Sequence, residues 1–107
     1  YKKAITMTAT AYDLSYESCG KKPGDKYYGL TASGTKARRG AVAVDPRVIP
    51  LGSKLYVESL DSTKDYGFCI AEDTGGAIKS NKIDLFFDTA SEVKNFGRRK
   101  VKVYILD

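Results

Sequence analysis

Six short, separated runs of strand-type residues dominate this chain, and only one stretch carries the signature of a helix. In the first run, Ala4 to Tyr12, Thr6, Thr8 and Thr10 alternate with Met7, Ala9 and Ala11. A period of two puts those sets on opposite faces of a strand. Ala41 to Val44 is a short apolar run closed by Asp45-Pro46, where the proline pushes the preceding residue out of helical dihedrals. Lys54 to Ser59 alternates around Leu55 and Val57, Gly67 to Glu72 delivers Asp73 at its end, and Lys82 to Phe87 contains Asp84. The last run sets Val101, Val103 and Ile105 against Lys102, Tyr104 and Leu106. Asp13 to Tyr28 reads as a long loop with a Pro23-Gly24 turn, Pro50 to Ser53 as a turn, and Leu60 to Tyr66 as a hairpin loop. Thr89 to Glu92 has the form of a capping box, and Gly97 ends the helix that it starts. These signals predict an all-β fold, a small six-stranded barrel with one short helix. Closure would leave so small a sheet without open edges.

At 107 residues, 42% of them apolar, the chain is expected to be one domain spanning residues 1–107 with a real core. A net charge of +5 favours an anionic partner. Nucleic acid is not indicated, because the eight tyrosines do not interleave with basic residues and no reading helix is evident. With no histidine and two cysteines, a zinc site of nitrogen and sulfur ligands is not expected, and no cofactor is implied. Cys19 and Cys69 form one disulfide or stand as two buried thiols. No transmembrane run or signal peptide is present, and the start on Tyr1-Lys2-Lys3 suggests a processed product or an excised domain.

The residues with chemistry are aspartates. Asp73 and Asp84 stand eleven positions apart around Gly75-Gly76, and Asp45 adjoins an earlier strand. Asp84 lies between Ile83 and Leu85, where a carboxylate is costly unless paired, hydrogen-bonded or protonated. Without histidine, a carboxylic acid is the natural proton carrier. Strand ends of a small barrel can bring all three aspartates to one cleft, where mutual repulsion keeps one protonated as a general acid. The bland alternative is three turn aspartates capping backbone N–H groups. Asp73-Thr74-Gly75 also matches the aspartic-protease triplet, but Glu72 puts a charge where an apolar residue is usual. Gly75-Gly76 lacks the spacing of a phosphate loop. A calcium loop would need oxygen donors at short alternating spacing, which these positions do not have, although strand ends that converge can still build a cage for calcium or magnesium.

The segments Thr8 to Tyr12, Thr31 to Gly34, Ala43 to Ser53, Asp73 to Lys79 and Ile83 to Phe86, in this order, resemble the 3D domain. That family, named for three aspartates, occurs in bacterial stationary-phase survival and resuscitation-factor-like wall proteins. The motif is also similar to the core of lytic transglycosylases of the MltA type. The chain departs from it in a longer Leu60 to Tyr66 loop, in the Asp13 to Tyr28 loop, and at Ser80, where the family usually has glycine.

The resemblance implies a double-psi β-barrel in an extracellular, wall-associated protein with further wall-binding domains. It implies peptidoglycan glycan strands as substrate and the β-1,4 bond between N-acetylmuramic acid and N-acetylglucosamine as the point of cleavage, leaving 1,6-anhydro ends. Asp84 matches the acid–base aspartate, and Asp73 and Asp45 match the other two. Thr31 and Ser33 are candidates to hydrogen-bond the glycan, Tyr12 to wall a sugar face, and Lys79 to contact substrate, with no metal between the aspartates. Two alternatives stay open: an expansin-like module that binds without cutting, and a hydrolytic muramidase.

Overall fold

The computed structural model describes residues 1–15 and 21–106. Six strands run in the order β1 (Lys3–Tyr12), β2 (Ala41–Val44), β3 (Lys54–Ser59), β4 (Gly67–Asp73), β5 (Lys82–Phe86) and β6 (Arg99–Ile105). Among the described residues one short helix, α1 (Ala90–Phe96), lies between β5 and β6. The strands close into a barrel ordered β1-β5-β2-β4-β3-β6. The β1–β5 and β2–β4 pairs are parallel and the rest antiparallel. Two parallel pairs made by non-consecutive strands are consistent with a double-psi-like topology.

The alternation read from the sequence sorts the side chains. Met7 and Ala9 of β1, Val42 and Val44 of β2, Leu55 and Val57 of β3, Ile83 and Leu85 of β5, and Val101 and Val103 of β6 fill one buried core. Their alternates face out. β6 starts two residues before the expected Val101, because Arg99 and Lys100 already pair with Ala9 and Thr8 of β1. The Thr89 hydroxyl caps α1, accepting from Glu92 N at 3.2 Å, and Gly97, at φ 65°, closes it. No helix among the described residues is long and apolar enough to cross a membrane.

Tyr66 pins two strands together. Its hydroxyl accepts from Gly40 N at 2.8 Å and donates to the Phe86 carbonyl at 2.7 Å, joining the approach to β2 to the end of β5. Tyr66→Phe would leave both groups without this partner, at a cost of about 2 kcal/mol. A lower urea midpoint at unchanged slope is the expected result.

Cys69 is a free, buried thiol whose pKa burial pushes up to about 12, so it is a poor nucleophile. Cys19, its expected disulfide partner, lies outside the described residues.

Candidate active site

A cross-strand row on the outside of the barrel sets the candidate chemistry. Thr10 of β1 pairs with Asp84 of β5, Asp84 with Ala43 of β2, and Ala43 with Asp73 of β4. Asp84 therefore faces outward while Ile83 and Leu85 face the core, which resolves the conflict that the sequence posed. Asp73 joins this row through a β-bulge. Val42 pairs with Ala71, but the next residue, Ala43, pairs with Asp73, so Glu72 is the extra residue. In a regular ladder Asp73 would share the inward face of Ala71; the bulge shifts its parity and re-aims it outward. Glu72 forms an ion pair with Arg38 at 2.8 Å, out of line for a hydrogen bond.

Asp73 and Asp84 line a cleft of about 650 Å³. Ala43 lies between them as the floor, where a small side chain leaves space. The segment Thr31–Thr35 forms one rim. It is fastened to the bulge by Ser33 N donating to the Glu72 carbonyl at 3.0 Å and Ala32 N to Asp73 Oδ1 at 2.9 Å. Gly75, Gly76 and Ile78 contribute the opposite wall, and Tyr27 and Leu30 add apolar surface.

The two carboxylates are held differently. Asp73 is held by three donors: Oδ1 also accepts from Thr74 N at 2.9 Å, and Oδ2 from the Tyr12 hydroxyl at 3.2 Å. Burial, followed by the charge of Asp73, raises the Tyr12 phenol well above its ordinary pKa, so it keeps its proton and donates. Its ring stands edge-on to Phe86 at 5.3 Å. Among the described residues, Asp84 has one hydrogen-bond partner for its carboxyl, the Thr10 hydroxyl, which donates to Oδ1 at 2.9 Å. Burial pushes its pKa up to about 6; the Thr10 bond opposes that and the charge of Asp73 adds to it. Asp84 is thus suited to carry a proton, and Asp73 stands beside it as a carboxyl fixed by hydrogen bonds.

The remaining expected site residues are placed less uniformly. Tyr12 and Thr31 line the cleft. The Thr31 hydroxyl is engaged with that of Thr35 at 2.7 Å, so it has a partner within the rim. Ser33 and Lys79 are exposed and outside the lining; Ser33 acts through its backbone. Asp45 also lies outside the lining, so the expected convergence of three aspartates is corrected to two. Asp45 is buried, its Oδ1 accepting from Arg47 N at 3.0 Å and Nε at 3.1 Å, and its Oδ2 from Arg47 Nη2 and Ser80 N, each at 2.9 Å. Those donors hold its carboxyl far below the usual range. Thr10 and the Glu72 bulge are not among the site features expected from the sequence. Thr10 had a signal: it is an outward threonine on a strand flanking the acid.

The sequence profile of the 3D domain matches residues 40–107. The chain belongs to the 3D domain family. Over 98% of its length this 3D domain is 42% identical to two Bacillus subtilis (strain 168) proteins, the putative cell wall shaping protein YabE and the cell wall-binding protein YocH. It spans 23% of the first and 33% of the second. The fold of the 3D domain is similar to that of MltA from Escherichia coli, which is described as having a lytic transglycosylase fold. The TM-score is 0.62 at 25% identity, over 78% of this chain and 29% of MltA.

Proposed function

We propose that this 3D domain is a lytic transglycosylase that cuts peptidoglycan between N-acetylmuramic acid and N-acetylglucosamine. The observation that carries this reading is Asp84: a half-buried carboxyl on the outer wall of the barrel, its pKa raised to about 6, facing a cleft that a hydrogen-bonded Asp73 shares. The likeness to MltA supports it. The domain is extracellular and wall-associated, in keeping with its family and with the two Bacillus relatives.

In this mechanism the Asp84 acid donates its proton to the glycosidic oxygen, and the bond from that oxygen to muramyl C1 breaks. The N-acetylglucosamine unit leaves with the proton. The muramyl C6 hydroxyl attacks the oxocarbenium-like C1, and the Asp84 carboxylate takes the hydroxyl proton. A C1–O6 bond has formed, Asp84 is an acid again, and no water is consumed. Ordinary glycoside hydrolysis needs a second carboxylate to activate water or attack C1. Burial keeps Asp84 protonated, with a smaller contribution from Asp73, which also stabilises the cationic ring electrostatically.

The name of YocH favours a second reading, in which the domain binds the wall without cutting it. Mass spectrometry of peptidoglycan incubated with the purified domain separates the readings. The expected products carry 1,6-anhydromuramyl ends. Reducing ends alone would mean hydrolysis, and an unchanged polymer would leave the binding module.

A further inference from the structure

The pairing of β1 with β5 steps from closed to open. Tyr12 and Phe86 are a buried pair, Thr10 and Asp84 are half-buried, and at Thr8 and Lys82 the surface opens, Lys82 being exposed. All six residues face outward, because two positions along a strand return to the same face. On its other side Thr8 pairs with Lys100 of β6. Lys82, Thr8 and Lys100 therefore form one row across three strands, about 7 Å along the strands from the row of Asp84.

The row is positive and unneutralised. The Lys100 ammonium donates to the Thr8 hydroxyl at 2.8 Å, and no ion pair among the described residues reaches Lys82 or Lys100. The next row differs, since Lys102 has Glu58 opposite it. Asp45, which follows β2 on the strand beside β5, has both oxygens engaged by Arg47 and Ser80. Two exposed cations on one row, two strands apart and with no carboxylate among the described residues paired to either, leave room for an anion between them.

We propose that Lys82 and Lys100, on either side of Thr8, form a carboxylate-binding shelf that takes the peptide-stem carboxylate of a muramyl unit as the glycan strand passes Asp84. The identity of the ligand rests on the reading of the cleft given above; the shelf itself rests on the strand register and the absence of a counter-ion. An anionic group hung from the sugar reaches the open row while the glycan backbone stays in the cleft. A glycan without stems has nothing to place there, so the shelf sets preference between muramyl-peptide strands and uncharged chitin-type strands.

The test is calorimetric titration of this chain with a muramyl-peptide glycan fragment and with an N-acetylglucosamine oligomer of equal length. Lys82→Ala combined with Lys100→Ala is expected to weaken the charged fragment about tenfold, as for two partly exposed charge contacts. The neutral oligomer should bind as before, and the Lys82→Arg, Lys100→Arg pair should retain most of the affinity. Lys64→Ala, an exposed charge in the Leu60–Tyr66 loop, should leave both ligands unaffected. Equal loss for both ligands, no loss for the charged one, or the same loss with Lys64→Ala would overturn the shelf. All titrations are made in the Asp84→Asn background, so that binding is read without cleavage and its failure is distinct from a failure to find anhydro ends.

Discussion

Asp84→Asn is expected to lower the rate of anhydromuramyl product release by about 10²–10⁴, the usual loss on removing a positioned proton donor. Asparagine keeps the oxygen that accepts from Thr10 but has no proton to give. The wild-type rate should fall as pH rises through about 6, because only the protonated Asp84 starts the reaction. The stability contribution of Asp84 should move the same way. The folded pKa lies above the unfolded carboxylate value of about 4, so the folded state holds a proton that the unfolded chain has lost between those values. This contribution is fully present below about pH 4 and is lost as pH rises through about 6. At neutral pH the variant should therefore be at least as stable as the wild type. A variant that kept more than a tenth of wild-type release, with the same pH profile, would remove Asp84 from the acid role.

The residues that the sequence revealed best are those whose signals are local. Alternation in Met7-Thr8-Ala9-Thr10 marks a strand with one wet face, and Thr89 with Glu92 marks a helix start, within a few residues of chain. Asp84 was legible because its neighbours contradict it: a charge between Ile83 and Leu85 must face away from the core they enter. Asp73 was legible as a residue but not as a direction. The run Gly67 to Asp73 carries no mark of a bulge, and only pairing with β2 reveals the extra residue at Glu72 that turns Asp73 into the cleft. Long-range partners were also hidden, since Thr10 meets Asp84 across 74 positions and Tyr12 meets Asp73 across 61. Asp45 misled for the opposite reason. It stands beside a strand as the other two do, yet Arg47, two positions on, turns its carboxylate into a structural acceptor.

Asp45→Ala should therefore act first on the fold, lowering Tm by on the order of 10 °C. Two contributions are lost, and they are unequal. The side chain of Arg47 is 75% exposed, so water re-solvates its guanidinium and the ion pair itself adds little. The backbone donors matter more. Arg47 N is held in a tight turn whose Asp45 carbonyl also accepts from Val48 N and Ile49 N, which seats Ile49 in the core. Ser80 N is held while its residue sits at φ 57°, a conformation that a side chain disfavours. Without Asp45, both amides lose their acceptor and the segment from Thr74 to Ser80, one wall of the cleft, loses its anchor. Arg47→Ala should shift Tm far less, because Ser80 and the turn amide keep the carboxylate. The sign with pH follows from the depressed pKa. The stabilisation is present above the unfolded value of about 4 and is lost as pH falls through the folded one. The Tm gap between wild type and Asp45→Ala, followed by circular dichroism, should thus narrow below about pH 4. Cleavage by the folded variant at low temperature should fall less than with Asp84→Asn, since Asp45 lies outside the cleft lining. A variant with wild-type Tm and cleavage as low as that of Asp84→Asn would return Asp45 to the chemistry.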